Sequence, residues 1–204
     1  MSGDQGLEPG TRRFGDLPAV AMDSVQRNVN DRLVEYLHPE KAGTGATIGG
    51  PMSALLRSPN LAEAVGKMVP IMFDGLSIPR TAMELAVLLT ARHWNCHFEF
   101  DVHRRHAVTA GLSPETIEYI AHGHYPRLSD ELEATYTFVM QLLRDGDVED
   151  DAFASVTRLW EEQGAVELIA TVGFYSMLAM VLNVDRYPPA GLSLPHLASG
   201  PGSH

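Results

Sequence analysis

Apolar positions along this chain recur at the three-to-four-residue spacing of a helix face, and no segment shows a two-residue alternation without a better helical explanation. Asp23 is a suitable N-cap for a first helix running to about Leu37. A breaker-rich stretch follows from Pro39 to Pro51, with Gly43, Gly45, Gly49 and Gly50, and reads as a long loop that is either disordered or part of a site. A short helix is expected over Met52–Leu56, and Pro59–Asn60 opens another to about Phe73. Pro79 stands at the first turn of a longer one, whose Met83, Val87, Leu88 and Ala91 fall at helical spacing. The next helix carries Glu99 to Ala110 and stops at Gly111. Ser113–Pro114 is an N-cap followed by proline, opening a helix to about Ala121. Further helices begin near Ser129 and Asp150, and the last spans Gln163 to Leu182. The fold class expected is all-α.

Three segments follow from this pattern. Residues 1–50 form an N-terminal arm with one helix and the Gly-rich loop, loose over its first 18 residues. Residues 51–187 form one helical domain. The tail from Pro188 to His204 holds four prolines and is expected to be extended or disordered.

Composition narrows the function classes. Of 204 residues, 45% are apolar and 20% charged, the balance of an ordinary globular protein. The net charge of −11 works against phosphate backbones, so no nucleic-acid partner is expected. Cys96 is the one cysteine, which excludes an intramolecular disulfide and fits a reducing compartment. The first 13 residues lack an apolar core for a signal peptide. The longest apolar stretch, Val166 to Leu182, includes Glu167 and spans 17 residues, which suits a buried or interface helix better than a membrane span. A cytoplasmic location without a membrane partner is the expectation.

Candidate chemistry concentrates between Glu84 and Gly111, in the run ELAVLLTARHWNCHFEFDVHRRHAVTAG. Glu99 and His103 are four apart, so a helix brings them to one face. A carboxylate beside an imidazole is how a general acid–base pair is assembled, although the same spacing also makes ordinary surface ion pairs. Cys96 precedes Glu99 by three, near a helix start where the dipole favours a thiolate. Glu84 lies on the preceding helix and reaches the same place if the two helices pack antiparallel. His93 and His97 have metal-ligand spacing, but the helix is expected to end near Asn95 and Trp94 replaces the glutamate of a zinc-protease helix, so no metal is assigned. His106 lies one turn beyond His103, while His122 and His124 flank Gly123 in a loop. Arg92, Arg80, Arg104 and Arg105 are candidates for a substrate carboxylate. Trp94, Phe98, Phe100 and Tyr119 either line an apolar pocket or belong to the core or a subunit contact, and the Phe174–Met180 run reads the same way.

The arrangement Glu-x11-Cys-x2-Glu-x3-His resembles the core motif of the carboxymuconolactone decarboxylase / alkylhydroperoxidase-D superfamily. Glu84, Cys96 and His103 match the glutamate, first cysteine and histidine of its peroxidase branch, and Glu99 stands where the second, peroxidatic cysteine would be. The Glu99–Phe100–Asp101–Val102–His103 run matches the Glu-aromatic-x-x-His of its decarboxylase-like branch. The likeness extends over roughly residues 50–187. It implies a helical bundle, a trimer or hexamer with sites near the subunit contacts, and a lyase or isomerase acting on a small organic acid, lactone or related carbonyl compound. Glu99, His103, Glu84 and Cys96 would be catalytic, with Trp94, Phe98, Phe100 and Arg92 at the substrate and no cofactor. A thiol-dependent peroxidase using Cys96 and a non-catalytic ligand-binding oligomer are the alternatives. With one cysteine, intramolecular resolution of a sulfenic acid is impossible.

Overall fold

The computed structural model describes residues 11–191 and 194–195. Among these the protein is all-helical, with eight α-helices, two short 3-10 turns and no strand. The chain divides into two compact units. The first comprises residues up to Gly75 together with Met180–Pro188, and the second runs from Leu76 to Ala179 and resumes at Pro189.

In the first unit, α1 (Ser24–Leu37), α2 (Gly50–Leu55) and α3 (Pro59–Asp74) pack together, with α3 against both others. Asp23 starts α1 through a capping box: its carboxylate accepts from the Gln26 N–H at 2.8 Å, and the Gln26 side chain accepts from the Asp23 N–H at 2.8 Å. Replacing Asp23 with alanine is expected to cost about 1 kcal/mol, read as a lower urea midpoint with an unchanged slope. An unaltered midpoint would show the cap to be dispensable.

Val29, Leu33 and Val34 bury against the side of the unit that holds Ala62, Val65, Val69 and Met72 of α3. The glycine-rich connection is ordered. Buried Asn30 ties it to α1, donating to the Ala46 carbonyl at 3.0 Å and accepting from the Ile48 N–H at 2.8 Å. Nor is the arm loose where it is described. Arg12 pairs with buried Asp185 at 2.8 Å, and the Phe14 N–H donates to the same carboxylate at 2.7 Å. A buried carboxylate needs such partners, and that need fixes the arm.

The second unit is organised around α4 (Arg80–His93). Every residue from Ala82 to Arg92 is buried, so the helix is covered on all sides. It packs against α5 (His97–Ala110), α6 (Pro114–Ala121) and α7 (Asp130–Asp145). The chain turns from α4 into α5 at Trp94–Cys96, where Asn95 takes a left-handed conformation (φ 51°). Gly111 ends α5 at φ 110°, with the Leu112 N–H returning to the Ala107 carbonyl at 2.9 Å.

Helix α8 (Asp150–Asp185) is interrupted at Trp160 and Glu161, the latter at φ 57°, which corresponds to the two helices expected from Asp150 and from Gln163. A Cβ on Gly164 would fall 2.3 Å from that of Trp160, so the bend requires glycine there. Glu167, the charge inside the apolar stretch, accepts from the N–H groups of Ser77 and Ile78 at 2.8 and 3.0 Å, just ahead of α4. By length and composition α8 can cross a membrane, with a window of mean hydropathy 1.9, but half of that window is buried within the protein.

The tail is not free where it is described. Leu194 is buried and its N–H donates to His97 Nδ1 at 2.7 Å, while the Pro195 carbonyl accepts from Arg92 at 3.2 Å. The remainder of the expected extended tail, like residues 1–10 of the arm, lies outside the described residues.

Candidate active site

The candidate residues converge in the interior of the second unit, on three helices. Glu84 comes from α4, Glu99 and His103 from α5, with Cys96 at its N-cap, and Tyr175 from α8. Packing of α4 on α5 brings Glu84 to His103, whose Nδ1 lies 2.9 Å from Glu84 Oε2. Glu84 is 0% exposed, and Arg80, one turn earlier, pairs with its Oε1 at 2.7 Å. Burial alone would raise the Glu84 pKa. The hydrogen bond and charge of His103, with Arg80 and His106 behind them, overcome that and hold it below the ordinary carboxylate value. An ionised carboxylate only accepts, so the His103 nitrogen that faces it, Nδ1, is the donor.

The partner that orients His103 is therefore Glu84, from the preceding helix, and not Glu99, to which local spacing assigns that part. Glu99 is 3% exposed, and its Oε2 has no hydrogen-bond partner among the described residues. Burial pushes its pKa well above the usual value of 4.5. The two glutamates of one interior are thus shifted in opposite directions, Glu84 downward by its partners and Glu99 upward by burial.

Cys96 departs from its expected chemistry. The backbone of Phe98 and Glu99 at the start of α5 favours a thiolate, in the expected direction, but the residue is 1% exposed and its side chain makes no capping hydrogen bond. Burial, reinforced by the neighbouring Glu99 carboxyl, outweighs the helix terminus and pushes the thiol up to about 12.

Tyr175 was not singled out as a catalytic candidate. Its ring meets that of His103 edge-to-face at 4.8 Å, the residue is 1% exposed, and its Oη has no partner among the described residues. Burial, with the charges of Glu84 and Glu99, raises its pKa. Leaving a polar atom such as this buried and unmatched costs about 1–3 kcal/mol. No motif marks Tyr175, because a tyrosine in an apolar helical run reads as core until the packing is known. His106 also adjoins the site, 5.5 Å from His103 between ring centroids, its pKa lowered by burial and by His103.

Other candidates sit apart. Arg104 and Arg105 both bind the buried Asp101 carboxylate, which occupies the guanidinium groups expected for a substrate acid. Arg92 is buried, bonded to Asn95 Oδ1 at 2.9 Å and to Pro195, and it depresses the pKa of His97, where burial is the larger cause. Trp94 is half-buried and donates to Ser176 Oγ at 2.8 Å, Phe98 is half-buried, and Phe100 is completely buried. His93 ends α4 whereas His97 begins α5, so their four-residue spacing does not share one helix face. No group of three or more potential metal ligands is clustered among the described residues. A shallow cavity of about 370 Å³ lies between α7 and the first half of α8, lined by Glu133, Thr137, Gln141, Ser155 and Arg158, and contains none of the site residues.

Neither a known family model nor any curated protein matches the chain.

Proposed function

We propose that this protein is an acid–base enzyme of the carboxymuconolactone-decarboxylase-like kind, a lyase or isomerase acting on a small organic acid, lactone or related carbonyl compound. The observation that carries the reading is the buried Glu84–His103 hydrogen bond beside a second buried carboxyl, Glu99, whose Oε2 is unpartnered. Glu84 holds the imidazole by Nδ1 and stabilises the imidazolium once Nε2 has taken a proton. Glu99, whose pKa burial raises, serves in its protonated form as a hydrogen-bond donor.

For a substrate that isomerises, His103 removes a proton next to a carbonyl and returns it to another carbon. For one that loses carbon dioxide, the C–C electron pair enters the carbonyl system, and the imidazolium then protonates the resulting carbanion. The burial of Glu84, Glu99 and His103 disfavours a substrate carboxylate there relative to neutral carbon dioxide. This chemistry requires no cofactor.

Self-association as a trimer or hexamer belongs to the same reading and is supported by Val166 and Ile169, apolar and exposed on α8. A cytoplasmic setting belongs to the same reading and is supported by the single cysteine, which leaves no intramolecular disulfide framework. The peroxidase alternative is disfavoured, because a thiol at about 12 supplies almost no thiolate near neutrality.

The reading is tested by incubating the protein with a panel of small lactone acids and keto acids in deuterium oxide, following deuterium uptake by proton NMR. Wild type is expected to exchange protons next to a carbonyl, and Glu84→Gln to slow exchange about 10²-fold. Exchange at the wild-type rate in the variant would remove the dyad from the chemistry.

A further inference from the structure

We propose that Tyr175 and Glu99 together cradle the substrate's carbonyl oxygen, donating two hydrogen bonds to it as it becomes an enolate oxygen. The inference rests on the acid–base reading above and adds to it a binding residue and a substrate requirement.

Two buried polar atoms, Tyr175 Oη and Glu99 Oε2, lack partners among the described residues, and both belong to side chains around His103. Tyr175 lies against the imidazole ring, and Glu99 precedes His103 by one turn of α5. The other ionisable groups of this interior are already engaged. Glu84 holds His103 through Oε2, and its Oε1, which makes no hydrogen bond, is ion-paired with Arg80. Of the unmatched atoms beside His103, one phenol and one carboxyl oxygen have neither a hydrogen bond nor an ion pair among the described residues. Burial raises both pKa values, which favours the protonated, donating form of each group. A carbonyl oxygen has two lone pairs in one plane and no proton, which complements two donors, and its demand for hydrogen bonds grows as it gains negative charge.

The step balances without any oxidant or reductant. His103 Nε2 takes the proton from the carbon next to the carbonyl. The C–H electron pair becomes a C=C bond, and the C=O π pair moves to oxygen, where Tyr175 and Glu99 stabilise it without giving up their protons. The imidazolium then protonates carbon. The substrate class is thus narrowed to ketones and lactones that carry an acidic C–H, or a carboxylate substituent, on the carbon next to the carbonyl. A simple carboxylic acid, whose own charge resists enolisation, is excluded.

Nitrophenols of graded acidity serve as probes, because a phenolate oxygen imitates the enolate and its absorbance reports its ionisation. Wild type is expected to bind them as phenolates, and Tyr175→Phe to weaken that binding about 10–100-fold while melting no lower than wild type, since only an unmatched hydroxyl is removed. Glu99→Leu is expected to weaken it similarly, and Glu99→Gln, which retains a donor, by less. In the exchange assay Tyr175→Phe should lower kcat and leave KM nearly unchanged. Nitrophenolate binding that is undiminished in Tyr175→Phe, or absent from wild type, overturns the cradle. If His103→Gln still abolishes exchange in that case, the acid–base reading survives without it. Loss of exchange from neither His103→Gln nor Tyr175→Phe overturns both.

Discussion

His103→Gln is expected to lower kcat about 10²–10⁴-fold, whereas Cys96→Ser should leave turnover within a few-fold of wild type. Glutamine at position 103 keeps a polar group near Glu84 but cannot shuttle a proton, so the loss belongs to kcat and not to substrate affinity. The two variants separate the competing chemistries because the structure gives the two side chains opposite environments. His103 is held by an ionised carboxylate at 2.9 Å, while Cys96 is buried with its thiol pushed up to about 12. Serine also suits the position structurally, since Cys96 is the N-cap of α5, where a hydroxyl is a favoured acceptor for the N–H groups of the first turn. Coupled turnover assays on the substrate panel and on peroxide, run with both variants, decide the matter. Peroxide turnover that disappears in Cys96→Ser would reverse the assignment and return chemistry to the thiol.

The parts of this architecture that were legible in the sequence are those governed by neighbours along the chain. Asp23, Ser113–Pro114 and Gly111 mark helix ends because capping is a contest over backbone groups within one turn. The break in α8 was legible for a similar reason, as a division between a helix from Asp150 and one from Gln163, although Gly164 as its steric requirement was not.

What was illegible depends on which helix lies against which. Spacing on α5 nominates Glu99 as the histidine's partner, and packing of α4 on α5 delivers Glu84 instead. The helix terminus argues for a thiolate at Cys96, and burial by the rest of the unit reverses the outcome. Tyr175 has no local signature at all. Its relation to His103 exists only once α8 is in place. The Asn30 clamp on the glycine-rich loop was hidden likewise, because an asparagine in a helix reads as solvated until the loop folds back over it.

Glu99→Gln is expected to raise stability at mildly alkaline pH and to flatten its dependence on pH. In the unfolded chain Glu99 ionises near 4.5, whereas in the folded protein burial holds its proton to a well higher pH. Between those two values the native state binds one proton more than the unfolded state, so stability falls as pH rises, by about 1.4 kcal/mol per unit. The contribution is fully present below the unfolded pKa and lost as pH climbs to the folded one. Glutamine has nothing to titrate, and the difference between the two proteins isolates this group from every other. Thermal melts at about pH 5 and about pH 8 should therefore diverge, with wild type losing more on the alkaline side. Parallel curves would mean that Glu99 is ionised in the folded state and cannot donate to a substrate oxygen. The same variant also divides the two roles a neutral carboxyl can have: its amide can still donate a hydrogen bond, but it has no proton to give up. A variant that is more stable and nearly as active makes Glu99 a hydrogen-bond donor, and one that is more stable and inactive makes it the acid that completes the reaction.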